Sequence, residues 1–167
     1  IGAFIFIMVA ISSSILYFYR SNTVTLEQAY AINSARKGIE FMVRDIREAI
    51  YSDEGAYPVI SMDANSLYFY SDIDRDDSVE RVRYFIDGSD LKKGLTESAG
   101  DPPQYLDQNE VISVISDNTR NIEQAISVFQ YFDDQGNEII DYNKVSDLSF
   151  VKINLVVNVN ANRLPDE

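Results

Sequence analysis

Residues 32–50 read INSARKGIEFMVRDIREAI. Apolar side chains recur at Ile32, Ala35, Ile39, Met42, Val43, Ile46, Ala49 and Ile50. At about 100° per residue these fall within a sector of about 120°. The adjoining sector carries Arg36, Glu40, Arg44 and Glu48, alternating in sign at i, i+4 spacing, where each ion pair contributes a few tenths of a kcal/mol. The stretch is an amphipathic helix with one face to bury. Ile32, Ala35, Ile39, Met42, Val43, Ile46 and Ile50 are its expected packing residues.

Toward the amino end, residues 1–19 read IGAFIFIMVAISSSILYFY, without charge or proline, and Arg20 ends the run. As a helix it covers about 28 Å, close to the hydrocarbon thickness of a bilayer. No basic residue precedes it, and it closes on aromatic and basic residues suited to a membrane interface. A membrane helix is therefore expected over 1–19, with Phe4, Ile5, Ile7, Met8, Ile11, Ile15, Leu16 and Phe18 as its apolar surface. From Thr25 there is no glycine before Gly38 and no proline before Pro58. One rod of about 75 Å to about Tyr51 is the expectation, with an amphipathic half over 20–51. Leu26, Tyr30 and Phe41 lie opposite the stripe, either as isolated exposed residues or as a subunit interface.

Beyond Tyr51 the apolar period falls from 3.6 to 2. Strands are expected at 57–62, 66–71, 79–86, 91–95, 125–132, 138–142 and 150–160, with a strand or helical turn at 110–115. Turn-formers separate them: Asp63-Ala64-Asn65, Asp87-Gly88, and Asp133 through Asn137. The loop 96–109, with Gly100-Asp101-Pro102-Pro103, is the least regular stretch. Short connections imply an antiparallel sheet, and the stripe at 32–50 supplies its cover. The expected fold is α+β: a long N-terminal helix packed on an antiparallel head over 52–167.

The chain lacks cysteine and histidine, which excludes thiolate and imidazole metal sites and catalysis by a Ser-His or Cys-His pair. Net charge is −13, and residues 52–167 hold nine basic and twenty-three acidic residues. Such a head repels nucleic-acid phosphates and anionic lipid, so no direct nucleic-acid partner is expected. Asp72, Asp74 and Asp76 alternate as calcium ligands can. An EF-hand loop would want glycine and glutamate where Asp77 and Arg83 stand. A plain structural turn, facing Glu80, Arg81 and Arg83 in the adjoining strand with its charges neutralised across the hairpin, is the expectation, and no metal site is expected. The acid pairs Asp107/Glu110 and Asp133/Asp134 sit in expected turns, where carboxylates bond locally. No P-loop or GxSxG motif occurs. Neither an enzyme nor a cofactor is expected.

The uninterrupted apolar-to-amphipathic helix followed by an acidic β head resembles the type IV pilin and pseudopilin family. Residues 35–49, Ser66 through Tyr70, Arg83 through Leu91, and Val128 through Gly136 are similar to the larger W-type minor pilins and the J-type pseudopilins. The resemblance implies a non-catalytic filament subunit at a tip or in a priming complex of a type IV pilus or type II secretion-like filament. Its partners would be other pilins, inner-membrane assembly proteins and, before assembly, lipid. It would sit in the inner or cytoplasmic membrane with its head outside the cytoplasm, and later in the filament, with 1–19 exchanging lipid for neighbouring helices. The family's processing glycine, first phenylalanine and nearby glutamate are not among these residues, so the segment is expected to begin inside a mature pilin and to be trimmed at its far end too. A single-pass sensor with a ligand-binding ectodomain and a calcium-dependent adhesin are the alternatives.

Overall fold

The computed structural model describes residues 2–159; within the first helix, side chains are described at residue 8, at 11–15 and from 26 onward. Helix α1 spans Gly2–Arg47. Seven strands follow among the described residues: β1 (Val59–Met62), β2 (Ser66–Ser71), β3 (Glu80–Asp87), β4 (Asp90–Thr96), β5 (Val111–Ser116), β6 (Phe129–Phe132) and β7 (Phe150–Ile153). The first five form one antiparallel sheet in sequence order, and β6 pairs with β7. The protein is α+β.

Each hairpin follows from its turn chemistry. The Asp63 carboxylate accepts from the Asn65 amide at 3.1 Å and closes β1–β2. Asp87 pairs with Asp90 across Gly88-Ser89, where Gly88 takes φ +63° as a two-residue loop requires. Tyr131 joins the two sheets. Its hydroxyl lies 2.8 and 3.0 Å from the carbonyls of Asp63 and Ser66, so a strand of the small sheet grips the β1–β2 turn. Between helix and sheets lie Met42, Leu67, Phe69, Val82, Tyr84, Leu91, Val128, Phe129 and Tyr131.

The helix seats on the head, but rotated from the expected face. Among its described side chains the buried positions are Ala31, Ala35, Gly38, Met42 and Asp45. On a helical wheel their centre lies about 60° from the middle of the apolar stripe. Three of the five are Ala or Gly, so the backbone comes close to β5. A Cβ placed on Gly38 would stand 2.8 Å from a methyl of Ile115, and Ser34 donates its hydroxyl to the Ile115 carbonyl at 3.3 Å. The rotation leaves Ile32 53% exposed rather than packed in the core, and Ile50, beyond the helix end, is 49% exposed. Ile39 and Ile46 remain partly buried against it, Val43 is half-buried, and Ile32 borders a groove with Leu155 and Val157.

Four expected boundaries change. The helix stops at Arg47 because β2 captures the chain: Ala49 bridges Ser71, and the Ile50 amide donates to the Tyr70 carbonyl at 3.1 Å. Ser71 also donates to the Asp45 carbonyl at 2.9 Å, satisfying a carbonyl of the final turn. The strand expected over 125–132 begins only at Phe129. The buried Asn121 amide donates to the carbonyls of Ile126 and Asn154 and accepts from the Val156 amide, which curls the preceding residues into turns. The same contact draws the chain away after Ile153 and ends β7, although an alternating pattern continues. Residues 138–142 contribute only one bridge, Glu138 to Phe132. The expected loop at 96–109 is pinned by Tyr105, whose hydroxyl donates to the Val79 carbonyl at 2.7 Å.

Among the described residues no helix is long and apolar enough to cross a membrane. The membrane expectation for 1–19 rests on Phe4, Ile5, Ile7, Leu16 and Phe18, whose side chains lie outside the described residues. Met8, Ile11 and Ile15 are exposed.

Candidate functional site

Two polar constellations lie where α1 meets the sheet. The first centres on Asp45, wholly buried on the last full turn of the helix. Its Oδ2 accepts from the Tyr84 hydroxyl at 2.7 Å and from Lys93 Nζ at 2.6 Å. Its Oδ1 accepts from Arg44 at 3.2 and 3.1 Å, and that guanidinium rests over the Phe41 ring. A carboxylate removed from water is tolerable only when paired and bonded in this way. Burial, and then the charge of Asp45 and its hydrogen bond, push the Tyr84 hydroxyl well above the ordinary tyrosine range. The arrangement fixes the rotation of the helix through groups from β3 and β4. Asp45 sits just outside the apolar stripe, where a charge ordinarily reads as solvated; its position at the stripe's edge was the only sequence signal.

The second constellation is the β2–β3 turn. Carboxylate oxygens of Asp72, Asp74, Asp76 and Glu80 all lie within 4.8 Å of one another. Glu80 opens β3 on the same face as Val82 and Tyr84 and is fully buried. Its Oε2 accepts from the Ile73 amide at 2.8 Å, while Oε1 is buried without a partner. Burial pushes its carboxyl up to about 7, against the lowering effect of the Ile73 bond, and Glu97, Asp74 and Asp72 add repulsion. Asp72 accepts from the Arg75 amide at 2.7 Å and Asp76 from the Ser78 amide at 2.9 Å. Arg75 and Asp77, at φ +63° and +71°, turn the loop back on itself. The structure thus assembles the three expected aspartates and adds Glu80.

Neutralisation of this turn by the adjoining strand does not occur. Arg81 pairs with Asp107, and Arg83 makes a fork with Glu110 at 3.0 and 2.7 Å. The side chain of Arg75 pairs with Glu48 on the helix side. Among the described residues no ion pair reaches the four clustered carboxylates. Asp107 and Glu110 are therefore engaged by arginines, and Asp133 by the Gln135 and Asn137 amides of its turn.

Leu26, Tyr30 and Phe41 are exposed, Tyr30 to 74%. Tyr30 borders a shallow hollow with Glu27, Lys37 and Asp117. At this level the helix is tied to the far end of the head: Gln28 donates to the Val157 carbonyl at 3.3 Å and accepts from the Val159 amide at 3.0 Å. No protein-family model matches the chain, and no curated protein matches it either.

Proposed function

We propose that the chain is a structural subunit of a pilin-like filament, of the minor pilin or pseudopilin kind, with the apolar end of α1 serving first as membrane anchor and then as filament core. The observation that carries this reading is one helix, Gly2–Arg47, that outruns its own head. Gln28 is the first of its described side chains hydrogen-bonded to the head, and Ala31 the first buried. Met8, Ile11 and Ile15, a turn or so apart, have no cover within the monomer. A run of exposed apolar side chains of this kind suits burial in lipid or against other subunits. Association in lipid gains little hydrophobic energy, and packing with neighbours must supply the specificity. The acidic head and the uncovered flank at Leu26, Tyr30 and Phe41 suit a subunit contacting sister rods through its helix.

The absence of native cysteine permits a direct test. Tyr30→Cys and Phe41→Cys, placed singly in the full-length protein in its native cell, should crosslink to helices of filament subunits. Ile15→Asp should abolish both the crosslink and incorporation into filaments while leaving the circular dichroism of the head unchanged. Uniform labelling of both cysteines by a membrane-impermeant maleimide, with no subunit crosslink, refutes the reading and favours a single-pass sensor.

A further inference from the structure

We propose that Asp72, Asp74, Asp76 and Glu80 form a Ca²⁺ site that locks the β2–β3 turn beneath the end of the helix. Clustered acids alone would not suffice. The deciding observation is Glu80, fully buried with one carboxylate oxygen lacking any partner and grouped with the three aspartates. Leaving a buried carboxylate oxygen unbonded is costly, and a cation is the partner this donor set selects.

The ion class follows from the ligands. All four are hard oxygen donors and the chain has no histidine or cysteine, which favours Ca²⁺ or Mg²⁺ over softer metals. Oxygens on opposite sides of Ca²⁺ stand about 4.6–5.2 Å apart, given bonds of about 2.3–2.6 Å, whereas Mg²⁺ draws them to about 4.0–4.2 Å. Four carboxylates with oxygens all within 4.8 Å of one another fit inside that calcium span, and side chains on an irregular loop suit the flexible shell of Ca²⁺ better than the near-ideal octahedron that Mg²⁺ demands. The turn supplies no internal cation, since Arg75 is paired with Glu48 instead. Asp74 and Asp76 are exposed, so an ion can enter from solvent, with water completing the shell.

The site is mechanically connected to the helix. Ser71, immediately before Asp72, donates to the Asp45 carbonyl and bridges Ala49, and Arg75 within the loop reaches Glu48. Fixing the loop therefore fixes the segment that receives the last helical turn. This inference is independent of the filament reading, because it concerns the head and its seat alone.

The test is calorimetric titration of the full chain in detergent micelles with CaCl₂ at mildly alkaline pH, alongside thermal unfolding in Ca²⁺ or EGTA. Binding of one ion is expected, with half-saturation below about 1 mM and a higher melting temperature. Mg²⁺ at the same concentration should give a smaller shift. Asp74→Asn is exposed and should fold normally, and it should weaken binding by about tenfold or more. Glu80→Gln should do the same, while Asp133→Asn, in another acidic turn, should leave binding intact. No heat and no melting shift with Ca²⁺ overturns the proposal. So does an undiminished shift in both Asp74→Asn and Glu80→Gln.

Discussion

Breaking the Asp45–Lys93 pair should unseat the helix more than its two charges alone suggest. Asp45 is fully buried and the Lys93 side chain is 14% exposed, so neither is screened as a surface ion would be. Removing one partner from a buried pair costs about 3–5 kcal/mol, chiefly because the survivor is left desolvated. Lys93→Met keeps the aliphatic stem and removes the ammonium. Asp45 then retains Tyr84 and Arg44, so the expected loss is about 3 kcal/mol, at the lower end of that range. Asp45→Leu strands both the Lys93 ammonium and the Tyr84 hydroxyl and should cost a similar amount, with about 1–3 kcal/mol from the hydroxyl alone. In the double variant neither member of the buried pair is left behind alone; the Tyr84 hydroxyl and the half-exposed Arg44 guanidinium are what lose a partner. The double variant should therefore lose less than the sum of the singles by about 1.5–3 kcal/mol, the range seen for directly contacting groups. Denaturant unfolding of the full chain in micelles, followed by near-ultraviolet circular dichroism of the tyrosines, measures all four corners. Additivity within about 0.5 kcal/mol would refute the claim that this pair fixes the seat.

The close approach of α1 to β5 predicts that Gly38→Leu destabilises the head by about 1–2 kcal/mol net, overpacking of up to about 3 kcal/mol outweighing a helix-propensity gain of about 1 kcal/mol. Ile115→Ala in the same chain should recover part of the loss, and a lower melting temperature that Ile115→Ala leaves unrelieved would contradict the packing. Alkaline titration provides another check. Tyr84 and Tyr131 are raised by burial, and Tyr105 is pushed up to about 12 by burial and neighbouring acids. Since their folded values exceed the unfolded value of about 10, the stability they confer is whole below that pH and is lost as pH rises through the folded values. Tyrosinate absorbance should accordingly show a late group that ionises together with loss of circular dichroism.

The antiparallel head was legible because its strands alternate and its turns carry Asp, Asn and Gly at positions that leave few options. β2, β3 and β4 fall within a residue or so of their expected bounds. The helix was legible as an element, but its seating angle was not. An apolar stripe reports which side chains avoid water, whereas the angle here is set by close backbone approach at Ala31, Ala35 and Gly38 and by one buried charge. Both depend on a partner surface that sequence periodicity does not encode. The same limit explains β6 and β7: the pattern continues, yet the side chain of Asn121 bonds the backbone that a longer strand would have used. At the carboxylate turn the three aspartates stood out by spacing. Glu80 was readable in principle, because it lies two residues before Val82 and four before Tyr84 on an inward-facing register. Its neighbours Arg81 and Arg83 obscure that signal, because an acid beside two arginines ordinarily pairs with them at the surface.

The two polar constellations constrain each other through the end of the helix. Asp45 and Ser71 are linked side chain to backbone, and Ser71 abuts the acidic turn. A helix rotated toward its apolar stripe, with Ile32 and Ile39 inward, would carry Asp45 away from Lys93 and withdraw its carbonyl from the Ser71 hydroxyl. β2 would then lose its bridge to Ala49, and the turn that places Asp72 beside Glu80 would lose its base. The polar contacts therefore hold the same seat that the close backbone approach at Ala35 and Gly38 sets. That agreement matters for any helix working beyond its own head, because the seat determines which flank, Leu26, Tyr30 and Phe41 or the apolar stripe, is presented to a neighbour.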